Sequence, residues 1–180
     1  GRVGVTKILY VMEGEIEDRF ILQMQRMGKL SLGKRIKFNL MQREIKQSDN
    51  IMTAQYDKVV CILDTDESGP HELAKLQHNI KMLKQIAKSG ILIMAQRYNF
   101  EDELKRMSGN NRLNEILNLK KSGLKDVKKF LAQDVDYSAL RNVDFLKYIS
   151  RTNDFYEELK TCGISFSKNV KFITSMEQCK

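Results

Sequence analysis

Residues 58–70 read Lys-Val-Val-Cys-Ile-Leu-Asp-Thr-Asp-Glu-Ser-Gly-Pro, an apolar run that breaks sharply into an acidic loop. A short, β-branched apolar run bounded by turn-forming residues is typical of a strand buried on both faces of a sheet. A second run of this kind, from Lys7 to Met12, ends in Glu13-Gly14. The two runs therefore predict two buried strands that both end in acidic residues.

The segments around these two strands alternate between helical and extended patterns. Apolar residues recur at helical spacing after the first strand and again after the acidic loop. Between these helical segments, polar and apolar residues alternate, which suits an edge strand. The predicted elements are a helix through Arg26, an edge strand over Arg35–Leu40, a helix over about 71–88 and a strand over Ile91–Ala95.

From Asn99 onward the pattern is helical, and the order of elements predicts an α/β sheet with a helical C-terminal portion. We expect residues 1–105 to form the α/β core and residues 106–180 to pack on it as part of a single compact unit. The last stretch, Ile164 to Thr174, is either a terminal strand or a docked tail. The predicted helices lie near 100–107, 112–119, 123–132, 142–150 and 153–161.

Bulk composition favours an ordinary folded protein. The chain has 180 residues, of which 42% are hydrophobic, and this predicts one domain, or one domain with a helical extension. No apolar run approaches the ~18 residues that predict a membrane span, and no signal peptide is visible. The three cysteines are widely spaced and lack zinc-ligand spacing, so we expect no zinc site and a reducing, cytoplasmic compartment.

The net charge is +8. A diffuse positive excess fits a polyanionic partner such as DNA or RNA, because neutralising phosphates releases counterions. A solvated surface explains the same charge equally well. The residues that could form a phosphate-tracking surface are Lys34 and Arg35 near the edge strand, and Lys121, Lys125, Lys128 and Lys129 on the helix near 123–132.

The acidic residues at the two strand ends are the strongest functional signal. Asp64 and Asp66 are two residues apart, so in an extended conformation their side chains project on the same side. Gly14 lets the backbone turn tightly after Glu13, which frees the Glu13 carboxylate to point into the crevice beyond the strand ends. If the two strands are neighbours, three carboxylates converge, and a bound cation relieves their repulsion.

Oxygen ligands without histidine or cysteine select Mg²⁺ or Mn²⁺ over zinc. A site of this kind suits phosphoryl transfer or phosphodiester hydrolysis. Each acidic motif alone also occurs as a solvated loop or a plain turn. The prediction of a metal site therefore depends on the two motifs occurring together.

Over about residues 7–105 the sequence resembles the TOPRIM family, which includes topoisomerases, bacterial primases, small maturation ribonucleases and the OLD-family and RloB-like nucleases. The resemblance lies in strand-Glu-Gly, an intervening helix and strand, and then strand-Asp-x-Asp. Residues 13–17, Glu-Gly-Glu-Ile-Glu, are similar to the Glu-Gly-x-Thr-Glu stretch of the OLD branch, with Ile16 in place of the threonine. The fold implied is a mostly parallel sheet of about four strands flanked by helices.

The resemblance also implies roles for individual residues. Glu13 would be a metal ligand and a general acid or base, Asp64 and Asp66 would hold Mg²⁺, and Glu17 would support a second metal or orient the first ligands. Residues 99–102, Asn-Phe-Glu-Asp, resemble a short element that places Glu101 near the metals, although an acid in a first helical turn also stabilises a helix N-terminus. The implied activity is a Mg²⁺- or Mn²⁺-dependent nuclease that uses a metal-activated water, with a role in phage defence or in a mobile element.

Two other functions fit parts of the pattern. An Asp-x-Asp after a strand also resembles phosphatases of the haloacid dehalogenase type, in which Asp64 would be a nucleophile and Asp66 an acid/base. That motif usually lies on the first strand, and this alternative leaves Glu13 unexplained. The second alternative is a TOPRIM-like regulatory or binding subunit that is active only with a partner, such as an ATPase or another defence component.

Overall fold

A computed structural model describes residues 6–96, 98–117, 129, 131 and 154–164. Its sheet has four strands in the order β2-β1-β3-β4, and every neighbouring pair is parallel. This confirms the predicted α/β fold with a four-stranded sheet, and it confirms that the second strand lies at an edge. The strands are β1 (Ile8–Met12), β2 (Lys34–Lys37), β3 (Lys58–Asp64) and β4 (Ile91–Gln96).

Helices connect the strands and cover both faces of the sheet. Each helix begins close to its predicted start, and α1 ends at Arg26 as the periodicity predicts. The helices are α1 (Glu15–Arg26), α2 (Pro70–Lys84), α3 (Phe100–Ser108), α4 (Leu113–Ile116) and α5 (Phe155–Thr161), and a 3₁₀ turn spans Asn50–Met52.

The strands alternate their buried side chains between two apolar layers. On one face, Tyr10, Ile62 and Met94 belong to a cluster that includes residues of α1, α3 and α4. On the other face, Val11, Cys61 and residues of α2 and α5 form a second cluster. Burial on both faces explains why β1, β3 and β4 are almost continuously apolar, as expected for the inner strands of a parallel sheet.

The predicted edge strand Arg35–Leu40 is wrong in its second half, because β2 ends at Lys37. Phe38 and Leu40 keep the alternating pattern and are buried, yet the carbonyl of Leu40 accepts a hydrogen bond from the Asn79 side chain rather than from a strand. The Asn79 amide also donates to the carbonyl of Arg43 and accepts from the N–H of Ile45. A fully buried asparagine on α2 thus holds the end of the predicted strand and the loop that follows it.

The predicted helix over about 71–88 is also too long, because α2 ends at Lys84. Beyond it, the N–H of Tyr56 donates to the carbonyl of Ile86, and the N–H of Lys88 donates to the carbonyl of Tyr56. These bonds make an isolated parallel bridge between Tyr56 and Ala87. Residues 86–88 therefore form hydrogen bonds with Tyr56, just before β3, instead of continuing the hydrogen bonds of α2.

A close approach of two backbones requires glycine at position 33, just before β2. A Cβ atom at this position would lie 2.4 Å from the carbonyl oxygen of Ile8 and 2.9 Å from the Tyr10 ring. No side chain fits at such distances. Gly33 therefore lets β2 pair against β1 while the Tyr10 ring packs beneath it.

At the other side of the sheet, Tyr156 of α5 reaches the free edge of β4. Its hydroxyl donates to the carbonyl of Ile93 (3.1 Å) and accepts from the N–H of Ala95 (3.0 Å). Gln77 on α2 donates to the carbonyl of Cys162, which follows α5. The part of the C-terminal portion that the structure describes is helical and is held against the core by these contacts.

Several predicted elements lie outside the described residues. They include most of the helix near 123–132, all of the helix near 142–150 and the segment from 165 onward. The helix expected near 112–119 is shorter, with α4 ending at Ile116. Among the residues that the structure describes, none of the helices is both long enough and apolar enough to span a bilayer.

A candidate active site lined by carboxylates

A cavity of about 310 Å³ opens at the carboxyl ends of the strands, where ligands bind in open α/β sheets. β1 and β3 are neighbours, so the condition for convergence of the acidic motifs is met. The structure brings all five acidic residues singled out in the sequence to this cavity. Its lining consists of Glu13, Gly14, Glu15, Ile16, Glu17, Asp64, Asp66, Asn99 and Glu101.

Asp64 is the last residue of β3, and Asp66 follows in the loop before α2. Thr65 lies between them and forms two hydrogen bonds with the end of β4 and the residues after it. Its hydroxyl donates to the carbonyl of Gln96, and its N–H donates to the carbonyl of Tyr98. These two bonds tie the end of β3 to the end of β4. The two aspartates therefore project into the cavity from a fixed loop.

The environment of Asp64 disfavours its charged form. Burial raises the pKa of the Asp64 carboxyl far above its ordinary value, and the negative charges of Glu17 and Glu13 raise it further. A hydrogen bond between the Glu13 and Asp64 side chains acts in the same direction, because one proton is shared between two carboxylates. Without a bound cation, Asp64 therefore holds a proton at neutral pH.

Glu17 lies in the first turns of α1 and is 7% exposed. Burial raises the pKa of Glu17 to about 7, and the charges of Glu13 and Glu101 add to the effect. Hydrogen bonds from its own backbone N–H and from Gln96 oppose the shift. A carboxyl group with a pKa near neutrality is suited to proton transfer.

The chain bends at Glu13 and Gly14, as the sequence predicts, but Gly14 does not use the conformations that only glycine adopts readily. Its backbone is extended (φ −148°, ψ −171°), a conformation that other residues adopt freely. A Cβ atom there would meet only Glu17 Oε2, at 3.8 Å. Gly14 acts instead as the N-cap of α1, and its carbonyl accepts a bond from the N–H of Asp18.

Glu101 enters the cavity from the first turn of α3. Asn99 caps this helix, since its side-chain oxygen accepts a bond from the N–H of Asp102 at 3.0 Å. Both explanations offered by the sequence hold in part: Glu101 lies at a helix N-terminus, and it lies close enough to Glu17 to raise the pKa of that residue.

The sequence prediction missed Gln96, the last residue of β4. Gln96 is paired with Asp64 in the strand register and is 2% exposed. Its side-chain nitrogen donates to Asp64 Oδ1 at 2.5 Å and lies 3.4 Å from Glu17 Oε1. A signal was present: Leu92 and Met94 predict an apolar residue at the next position on that face, and a glutamine stands there instead.

A cluster of ion pairs borders the cavity on the α1 and β2 side. Glu15 binds both Arg19 (2.9 Å) and Lys37 (2.5 Å), and Arg35 binds Asp18 (2.8 Å). Glu15 partly neutralises Lys37 and Arg19, and its pairing with Lys37 is the largest cause that lowers the pKa of Glu15.

Among the described residues, Lys34 and Arg35, which were proposed to bind nucleic acid, do not line the cavity. Lys34 pairs with Leu9 at the beginning of β1, so it lies near the amino ends of the strands, beside a separate apolar cleft of about 460 Å³. Arg35 is engaged with Asp18. Lys129 is exposed, whereas Lys121, Lys125 and Lys128 lie outside the described residues.

The donor set of the cavity fits Mg²⁺ or Mn²⁺ in its chemistry, because all of its charged ligands are carboxylate oxygens. Burial raises the pKa of Asp64 most, and repulsion by Glu17 and Glu13 adds to it; a bound cation would relieve this repulsion. In their present positions, however, no three or more His, Cys, Asp or Glu side chains of the described chain are grouped to hold a metal ion. The carboxylates would have to rotate towards one another on binding.

No family model matches the chain, and no curated protein is detectably similar to it. The geometry of the cavity is therefore the main support for any functional conclusion.

Proposed function

We propose that this protein is a Mg²⁺- or Mn²⁺-dependent nuclease that hydrolyses phosphodiester bonds of DNA or RNA. One observation carries the proposal: Glu13, Asp64 and Asp66, together with Glu17 and Glu101, line one cavity at the carboxyl ends of adjacent parallel strands. Glu17 is buried and Asp64 is partly buried, whereas Glu13 and Asp66 are exposed at the mouth. Burying the first two carboxylates beside the others without a compensating cation is costly. Such an arrangement is found where function requires it.

Glu13, Asp64 and Asp66 would hold the metal, with Glu101 as a further ligand. A divalent cation bound by these oxygens supplies charge stabilisation for a phosphoryl group and lowers the pKa of a bound water. Glu17, with a pKa of about 7, can hold or release a proton near neutral pH. The net charge of +8 favours a polyanionic substrate over a neutral one.

The TOPRIM resemblance gives the same conclusion from the motifs. The parallel four-stranded sheet is compatible with that family, and so is the position of both acidic motifs at strand ends. A role in phage defence or in a mobile element is suggested by the resemblance to the OLD and RloB-like branch alone.

The direct test is cleavage of a supercoiled plasmid and of an unstructured RNA by the purified protein with Mg²⁺ or Mn²⁺. We expect cleavage of one or both, and its loss on adding a chelator and in Asp64→Ala. The matched control is Glu67→Ala, which removes an exposed acid from the same loop outside the cavity. Hydrolysis of phosphomonoesters alone would instead support the phosphatase alternative and sink the nuclease.

A second candidate is a TOPRIM-like subunit that becomes active only with a partner, such as an ATPase. The observation that favours it is the absence, within the described residues, of carboxylates already grouped to hold a metal. If nucleic acid completes the site, Mn²⁺ binding should strengthen when a non-cleavable oligonucleotide is added. If no Mn²⁺ binds with or without nucleic acid, the partner-dependent subunit is favoured over the independent nuclease.

A further inference from the structure

Gln96 is a polar residue at a position of β4 where the alternation of the strand predicts an apolar side chain. It follows Leu92 and Met94 on the same face of β4, and both of those residues belong to the core. The side chain is 2% exposed. Burying an amide costs free energy unless it is hydrogen-bonded, so the contacts of Gln96 show what offsets the cost.

Those contacts are with two acidic residues from different elements. The amide nitrogen donates to Asp64 Oδ1 at the end of β3 (2.5 Å) and lies 3.4 Å from Glu17 Oε1 on α1. One NH₂ group has two protons and can serve two acceptors. The geometry points to Gln96 as the positioning residue of the cavity: its amide holds Asp64 and Glu17 as a pair, so that both meet a divalent cation from fixed places, an inference that rests on the proposed function.

The chemistry of the side chain supports this role. Lysine or arginine at position 96 would also bind the two carboxylates, but its positive charge would neutralise them and compete with a cation. An amide donates hydrogen bonds without net charge, so it orients the acids and leaves their negative charge available. A carboxylate has about four lone-pair sites, and one donor therefore leaves room for a metal.

The backbone gives Gln96 a rigid base. Asp64 and Gln96 are register partners in the β3–β4 ladder. The Thr65 hydroxyl donates to the Gln96 carbonyl at 2.6 Å. Donor and acceptor are thus fixed to each other by main-chain bonds before their side chains meet.

The test compares two buried glutamines. Gln96→Met removes the donor and keeps the approximate length of the side chain. The matched control is Gln25→Met, because Gln25 is 7% exposed and donates to the carbonyls of Ser31 and Gly33, away from the cavity. By calorimetry, we expect Gln96→Met to weaken Mn²⁺ binding by about 10- to 100-fold, as loss of a residue behind a metal ligand does, and Gln25→Met to leave it unchanged.

A second readout needs no metal. In the metal-free protein, the side-chain amide signals of Gln96, assigned through bonds by NMR, should shift in Asp64→Ala, while those of Gln25 should not. Signals of Gln96 that stay in place would show that the hydrogen bond is absent and would overturn the inference.

Two results of the calorimetry would also overturn it. One is unchanged or tighter Mn²⁺ binding in Gln96→Met, and the other is equal weakening in both methionine variants, which means a general loss of packing. If the unsubstituted protein binds no Mn²⁺, the metal-dependent nuclease fails. In that case the amide signals alone decide, and the inference then requires a shift of the Gln96 signals in Asp64→Ala and also in Glu17→Ala.

Discussion

Glu17 on α1 raises the pKa of Asp64 on β3, and the buried amide of Gln96 donates to Asp64 and lies within reach of Glu17. The fold thus brings together two acids that repel each other when ionised, and a buried glutamine keeps them in place by hydrogen bonding. Sites that lower stability in this way are retained where activity needs them. The relationship predicts how the protein responds to pH, to substitution and to metal.

The first prediction concerns pH. The pKa of Glu17 is raised from 4.5 to about 7 on folding, so the folded state binds more protons than the unfolded state between these values. The free energy of unfolding therefore falls as pH rises through this window, by up to about 3 kcal/mol for a shift of this size. The raised pKa of Asp64 adds a loss of the same sign.

Urea unfolding at pH 5, 6, 7 and 8 in the presence of a chelator measures this slope. Glu17→Gln should flatten the slope, because a neutral amide does not titrate. Glu72→Gln, on α2 and outside the cavity, is the matched control. A stability that rises steadily from pH 5 to 8 would contradict the raised pKa of Glu17.

The second prediction separates stability from metal binding. Asp64 must take up a proton when the metal-free protein folds at pH 8, because its pKa is raised, and this lowers stability. Asp64→Asn removes that cost and keeps an oxygen that can accept the Gln96 donor. We expect the metal-free variant to be more stable at pH 8, on the order of 1–2 kcal/mol after screening by solvent. The unsubstituted protein should gain about 2.7 kcal/mol when Mn²⁺ is present at 100 times its Kd, and the variant should gain little.

Thermal unfolding with and without Mn²⁺ checks both parts. Glu67→Gln serves as the control, because it removes a nearby exposed charge and should keep the full stabilisation by Mn²⁺. If Asp64→Asn lowers the stability of the metal-free protein, the carboxylate is stabilising, and the account of the cavity given above is wrong.

The third prediction compares two glycines. Gly33→Ala places a Cβ 2.4 Å from the Ile8 carbonyl oxygen, so backbone must move, and we expect a loss of about 1–3 kcal/mol, typical of overpacking. Gly14→Ala meets nothing closer than 3.8 Å on an extended backbone. It should change stability little and leave Mn²⁺ binding intact. Chemical denaturation measures the free energy of unfolding of both variants. Equal losses of stability would rule out the close approach at Gly33.

The fourth prediction concerns the contact between α5 and the sheet. Tyr156→Phe keeps the ring but removes the hydroxyl that serves both Ile93 and Ala95. Two buried backbone groups lose their side-chain partner, and we expect a cost of about 1–3 kcal/mol. Lys160→Ala on the exposed side of α5 removes only a surface ion pair and should cost less than about 1 kcal/mol. Equal effects in denaturant titrations would count against the role of the hydroxyl.

Much of the fold follows from the sequence because burial on both faces makes strands recognisable. The sequences of β1 and β3 are almost continuously apolar, and acidic residues follow or end them. The position of Glu13 and Asp64 at the same edge of the sheet could therefore be predicted. The error at Arg35–Leu40 has a different origin. Alternating burial continues past Lys37, and the N–H of Phe38 still donates to the carbonyl of Met12 in β1. The carbonyl of Leu40, however, accepts from Asn79, a long-range contact that local pattern does not reveal.

The site was only partly predictable. An acid in the first turn of a helix is normally solvated, and nothing local shows that Glu17 is buried beneath β4. Gln96 follows an apolar run, where a polar residue normally marks the start of a loop. Its contact with Asp64 becomes apparent only from the β3–β4 register. The basic residues gave the weakest prediction, because the direction of β2 places Lys34 near the amino ends of the strands.

The contact of Tyr156 with β4 also limits how other proteins can bind. A sheet edge with unpaired backbone groups invites a strand from another chain, either in recognition or in aggregation. On β4, one tyrosine hydroxyl already occupies the groups of Ile93 and Ala95. On the opposite edge, β2 has four residues and exposed lysines at both ends, which discourages strand addition. A partner protein should therefore approach through helices or through the mouth of the cavity, and the folded chain should resist edge-to-edge association.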